Sequence, residues 1–271
     1  NFAMKILFIH QGFPGQFASL ITHCQKMGDQ VFGVGIAEQS IIPSNNYIKY
    51  IPCAGTTQKA FPVIHEAETK SIRGYSVYKA LLKAKSQGFK PDIVYAHPGW
   101  GEVLYIKQIW PYVPLVTFHE FFYSLTNSDL DFDPEFPYQE TVAQFRLEFK
   151  NCLILQSLVN SDLCISPTKW QASRFPVEFN HKFFTHHEGI DIANINKILS
   201  SSRKINYTFE DKPYITYMAR NLEPYRGFHS FLRVAENLLQ MNESLNIVII
   251  GSEAGDGYGA SPSGHRTWKE Y

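Results

Sequence analysis

Residues 5–10 read KILFIH, four apolar residues in a row between Lys5 and His10, and short runs of this kind recur along the chain. They lack the alternation of a half-exposed strand and are too short for a helix face, so they predict strands covered on both faces, as in a parallel sheet. Further strands are predicted at 30–36, 48–53, 91–97, 113–119, 162–166, 183–187, 213–219 and 246–250. Between them the apolar residues fall at helical spacing. Phe17, Leu20, Ile21 and Cys24 mark one helix, stopped at Gly28, and 61–87 a second with a break at Gly74. Residues 103–110 and 138–159 mark two more. Phe228, Phe231, Leu232, Ala235, Leu238 and Leu239 trace an amphipathic last one.

Strands alternating with helices imply parallel sheets with right-handed crossovers, and 271 residues suit two domains better than one. The polar stretch 194–212 shows no apolar periodicity, and the strands restart after it. The expected organisation is therefore an α/β domain at 1–193, a linker at 194–212 and a second α/β domain at 213–271.

Twenty-five Lys and Arg balance 25 Asp and Glu, so no basic field points to nucleic acid or an anionic membrane, and any anion site must be local. The four cysteines form no CxxC pair. Buried free thiols in a reducing, cytoplasmic setting are expected rather than a metal centre. No apolar run is long enough to span a bilayer. Contact with the inner face of a membrane stays open, although no basic amphipathic patch argues for it.

Candidate chemistry gathers at strand ends. His10, His97, His119, Ser166, Arg220 and Gly251 close predicted strands, and ligands of parallel α/β sheets bind outside those carboxyl ends. Three histidines ending three strands of one sheet point to a site more strongly than any one of them. In the second domain, Arg220 ends a strand, and Arg226 and Gly227 precede a helix whose free N–H groups favour an anion. Two guanidiniums there make a phosphate or diphosphate site, the alternative being one arginine paired with Glu223 and the other in solvent. The turn QGFPGQF, with Gly12 and Gly15, permits close backbone approach, but it matches neither GxGxxG nor a P-loop. An NAD-type fold is disfavoured, since no acidic residue ends the second strand either.

Taken together, HQGFPGQF, HPGWGE, HEFFY, HEGID and ARNLEPYRGF resemble the retaining glycosyltransferases of family 4, across essentially the whole chain, with the last three-motif pattern (HPGWGE, HEFFY, ARNLEPYRGF) similar to one subgroup. Two departures stand out: Arg226 replaces the usual lysine, and its spacing from Arg220 is six rather than five. The resemblance implies a GT-B fold of two Rossmann-like doubly wound domains. It also implies transfer of a sugar from a nucleoside-diphosphate donor, UDP-glucose first and GDP-mannose second, to a saccharide or lipid-linked acceptor. Carried over residue by residue, Arg220, Arg226, Gly12 and Gly15 bind the donor, while His119 and Glu120 stand at the reacting sugar. His97, Trp100 and Glu102 face the acceptor. The chemistry agrees, because donors aimed at a departing diphosphate lower the barrier. For Trp100 and Glu102 a core cap and a helix-first-turn acid are equally good accounts.

Neither a metal nor another cofactor is expected. Asp129, Asp131 and Asp133 form overlapping DxD pairs in a polar loop, where solvated acids are the plainer account. Glu140 and Glu148 form an E-x7-E, a pattern the family carries in its second domain, but they precede the arginine turn and inherit no role. The glycine-rich stretch after Ile250 suits nucleotide contact without an assigned partner. Because the second domain would hold only two strands, the chain is expected to be a fragment of a longer protein. Two other functions remain open: a nucleotide-sugar epimerase of the same fold, and a non-catalytic nucleotide- or sugar-binding module.

Overall fold

A computed structural model of the chain describes residues 3–137, 142–201, 212–253, 258–259, 262 and 264–271. It divides into two compact units, Asn1–Leu130 with Tyr138–Asn196, and Asp131–Pro137 with Lys197–Tyr271.

The first unit is built on β1 (Lys5–Ile9), β2 (Gln30–Gly35), β3 (Tyr47–Lys49), β4 (Ile93–Ala96), β5 (Leu115–Phe118), β6 (Leu163–Ser166) and β7 (Phe183–Thr185). All seven are parallel, in the order β3-β2-β1-β4-β5-β6-β7. The helices are α1 (Ala18–Lys26), α2 (His65–Ser86), α3 (Ile106–Ile109), α4 (Ala143–Asn160) and α5 (Lys169–Ala172), with α6 (Ile192–Ser200) crossing the boundary between units.

Because side chains alternate across a strand, the continuous apolar run of β1 feeds two cores at once. Leu7 and Ile9 pack with Val77 and Leu81 of α2 and Ile106 and Ile109 of α3, while Ile6 and Phe8 pack with Phe17 and with Ile21 and Cys24 of α1. That is why the run shows no polar alternation. A third cluster joins Ile154 and Leu158 of α4 to Cys164 of β6 and Phe175.

Several expectations shift. The third strand is three residues long rather than 48–53, and the helix expected at 103–110 is a single turn. Helix α2 runs through Gly74 unbroken. The helix expected from 138 is described from Ala143, with 138–141 outside the described residues. Part of the expected linker is helical, since Ile192, Ile195, Ile198 and Leu199 recur at helical spacing in α6, while 202–211 lie outside the described residues. Only Cys24 and Cys164 are buried. Cys53 sits in a bend and Cys152 on the outer face of α4, and all four are free.

In the second unit, β8 (Tyr214–Asn221) lies parallel to β9 (Asn246–Ser252), joined through α7 (Phe228–Met241). Residues of β8 are alternately exposed rather than covered on both faces, because α7 packs on one face only, with Phe228 and Phe231 against Tyr217. Asp131–Pro137, expected in the first domain, packs here: Phe132 stacks on Tyr225 at 3.9 Å and Phe136 meets His229 and Trp268 edge-on. Among the described residues, no helix is long and apolar enough to cross a membrane.

Candidate functional site

The strand order reverses beside β1, with β2 and β3 on one side and β4 to β7 on the other. In open parallel sheets this switch point leaves a crevice at the strand carboxyl ends. The loops there carry HQGFPGQF after β1 and HPGWGE after β4. His10 and His97, one residue beyond their strands, meet with ring centroids 5.4 Å apart, and Trp100 stacks on His97 at 4.3 Å and meets His10 edge-on at 4.8 Å. Both imidazoles are buried, and the indole is half-buried over them.

Each ring has a defined hydrogen-bond role. The Gly99 N–H donates to His97 Nδ1 at 3.1 Å, so the proton sits on Nε2, which donates to Glu120 Oε2 at 2.9 Å. This bond, with the Gln16 amide adding to it, holds the Glu120 carboxyl below its usual range despite partial burial. His10 Nε2 donates to Gln16 Oε1 at 2.9 Å, which leaves Nδ1 a bare acceptor. Gly12 approaches Nδ1, but no hydrogen bond of ordinary geometry closes on this buried atom. Burial and the neighbouring His97 push His10 down to about 4. Gly15, at φ +53°, packs flat against the same ring, and a Cβ there would overlap it.

Two residues expected at the site turn inward. The His119 side chain is 1% exposed: its Nε2 meets the Thr117 hydroxyl at 2.8 Å, Thr117 meets Ser161 at 2.6 Å, and Phe175 and Phe183 flank the ring edge-on. Burial pushes it down to about 3. Its backbone N–H extends the sheet to Ile165 O, so the residue acts as one more rung of β5. Glu102 is also 1% exposed and accepts the Tyr50 hydroxyl at 2.5 Å, and burial raises its pKa. It is therefore not a carboxylate offered to acceptor hydroxyls. Nor does it start a helix, because the turn before α3 holds it inward. Gln16, which finishes the first network, lies inside HQGFPGQF, so that motif is the signal that points to it, whereas Tyr50, which finishes the second, carries only its place just after β3.

In the second unit Arg220 lies on the uncovered face of β8, exposed and without an ion pair among the described residues. Arg226 Nε stands 3.5 Å from Glu223 Oε1, too loose for a hydrogen bond, and its guanidinium lies 5.6 Å over the Tyr258 ring. Glu223 is 2% exposed and accepts the Tyr258 N–H at 2.7 Å. Arg226 thus stands beside Glu223 and over Tyr258, while Arg220 stays exposed on β8. Gly227, left-handed at φ +72°, starts α7.

Asp133 of the DxD run is not simply solvated. It meets His229 Nε2 at 3.0 Å, while both terminal nitrogens of Arg233 hold Glu135. Asp133, Glu135 and His229 bring three groups of metal-ligand type together, although Arg233 already occupies both Glu135 oxygens. Glu140 lies outside the described residues, as do 254–257 of the glycine-rich stretch.

Residues 27–195, more than half the chain, match the family model described as the glycosyl transferase family 4 group. The chain belongs to that group. No curated protein sequence matches it. Among solved structures this family 4 member is similar to a UDP-forming α,α-trehalose-phosphate synthase from Burkholderia xenovorans, at TM-score 0.56 and 14% identity, over 92% of this chain and 64% of that one. The catalytic domain of starch synthase IV from Arabidopsis thaliana, bound to ADP and acarbose, matches at 0.54 and 13%, over 93% and 69%. A UDP-N-acetylglucosamine 2-epimerase from Rickettsia bellii matches at 0.50 and 14%, over 93% and 62%. The chain thus spans about two thirds of each relative or less. These likenesses show the fold, an α/β architecture of GT-B type.

Proposed function

We propose that this family 4 member transfers a sugar from a nucleoside-diphosphate donor, UDP-glucose in first place, to a saccharide or lipid-linked acceptor with retention and without a metal. The observation that carries the reading is the rim at the β1–β4 switch point of a chain in this family. There Trp100 offers an aromatic face and Glu120 is a carboxylate oriented by His97. An aromatic face beside oriented acceptors is the chemistry that binds a sugar's C–H face and its hydroxyls.

In this reading Glu120 accepts an acceptor hydroxyl, and its depressed pKa keeps it anionic at neutral pH. His97 is a positioning residue that holds the carboxylate in one rotamer. With the His119 ring held by Thr117, the role left nearest the sugar is its backbone carbonyl, set against the positive charge that builds at the anomeric carbon. Gly12 and Gly15 allow backbone N–H groups close to the donor. Arg220 and Arg226 hold the diphosphate, Arg226 keeping its long 3.5 Å Nε contact to the buried Glu223 while its terminal nitrogens take phosphate oxygens.

Calorimetric titration with UDP and GDP, with and without magnesium, tests the donor assignment. UDP is expected to bind without metal, and Arg220→Ala to weaken it at least tenfold, about 1.4 kcal/mol. Tight binding that survives Arg220→Ala overturns the assignment. The likeness to an epimerase favours one second reading, an epimerase acting on the donor alone. Product analysis separates the two: a donor converted with no acceptor present sinks the transferase.

A further inference from the structure

Lys70 has no part in the rim chemistry, yet its side chain is only 6% exposed, on the face of α2 next to α4. A buried ammonium needs a counter-charge, and here the supply is thin. One oxygen of Glu66 serves both Lys70, at 2.8 Å, and Lys150 of α4, at 3.8 Å. Arg146, one turn before Lys150, also acts on Glu66, and Arg73, one turn after Lys70 on α2, acts on Lys70 itself. Lys70 and Lys150 therefore share one oxygen of Glu66, and Arg73 faces the buried acid Glu102, whose pKa is raised.

This cationic face is fastened to the rim. Gly101, in the loop that carries Trp100, lies so close to the Lys70 carbonyl that any Cβ would collide with it, and the Gly101 carbonyl sits where a Gly74 Cβ would be 2.6 Å away. Arg73 reaches the loop after β1, where both its terminal nitrogens donate to the Gln11 side-chain oxygen at 3.2 and 3.3 Å, with that amide turned to face them. On the α4 side, Lys150 lies 3.6 Å over the Tyr123 ring. The cations and the sugar-binding rim are thus parts of one surface of the first unit.

We propose that Lys70, Arg73 and Lys150 bind a phosphate group carried by the acceptor, whose sugar lies on the Trp100 rim. Only the naming of that phosphate as the acceptor's rests on the transferase reading; the anion site stands on the charges alone. A phosphate takes several charge-assisted hydrogen bonds at once, which a planar Arg73 fork beside two ammoniums can supply. Such a group reaches the site on a soluble sugar phosphate or on a lipid-linked phosphate.

The test titrates inorganic phosphate into the chain carrying Arg220→Ala, which removes the arginine assigned to the donor phosphates, and then into the same chain with Arg73→Gln and Lys150→Gln. Each addition is expected to weaken phosphate about fivefold, and both together more than tenfold. Melting curves first establish that each variant is folded, and Lys150→Arg, which keeps the charge, is expected to restore binding. Vesicles of phosphatidylcholine with and without phosphatidic acid separate the sources: retention on the acidic vesicles that both substitutions abolish assigns a lipid phosphate, and no retention a soluble one. Phosphate affinity unchanged in the folded double variant, or no phosphate binding to the Arg220→Ala chain, overturns the proposal. UDP titrations of Arg73→Gln and Lys150→Gln in the chain that keeps Arg220 hold the two readings apart: a sound donor site ignores both substitutions, while a failed one leaves the phosphate result intact.

Discussion

At the scale of single residues, the packing of Gly15 on His10 has a measurable consequence. Gly15 holds φ +53° with the imidazole flat against it, so Gly15→Ala meets both a backbone cost and a collision with a buried ring. A destabilisation of about 2–4 kcal/mol is expected, read from the urea midpoint. The turn QGFPG was legible as a turn from its glycines and proline. That Gly15 makes room for His10 was not, because the contact exists only once the loop after β1 folds back over the end of its own strand. The inward placement of Glu102 was hidden for the same reason: its partner Tyr50 lies 52 residues away.

At the scale of an element, α2 pits helix propensity against packing. Gly74→Ala in a helix interior ordinarily gains about 1 kcal/mol. Here the new methyl would stand 2.6 Å from the Gly101 carbonyl and 3.3 Å from the Leu104 side chain, and Gly101 is itself pinned by Lys70. Backbone on both sides cannot yield cheaply, so the packing cost wins and a net loss of about 1–3 kcal/mol is expected. A thermal melt in which Gly74→Ala gains stability would show that the loop can move. Gly74 read alone suggests a helix break, since glycine is a poor helix former. In the fold it is the residue that lets the Trp100 loop approach α2.

For the whole molecule the buried histidines set the response to acid. His10 and His119 have folded pKa values lowered to about 4 and 3 from an ordinary 6.5, so their neutral forms favour the folded state. Their contribution is intact above pH 6.5 and is lost as pH falls through 6.5 toward 4, at about 3 kcal/mol for each by pH 4. Glu120, held low by His97, acts in the same direction, its share being lost below the ordinary carboxylate range. Urea midpoints at pH 7, 6, 5 and 4 are expected to fall steadily below pH 6.5, and His10→Gln to flatten part of that slope. A midpoint unchanged between pH 7 and 4 would mean that these rings are reached by water.

Local pattern alone determined the alternation of buried strands and amphipathic helices, and with it the α/β class. It also determined that His10, His97 and His119 end parallel strands, because strand burial and helical spacing are properties of a few consecutive residues. Which strand ends adjoin was decided by the order β3-β2-β1-β4-β5-β6-β7, and so were the meeting of His10 with His97 and Trp100 and the burial of His119 behind Thr117. The transfer of Asp131–Pro137 to the second unit and the gathering of Lys70, Arg73 and Lys150 belong to the same level. Those contacts join segments tens of residues apart, and their energy is paid in desolvation and packing that no local window contains.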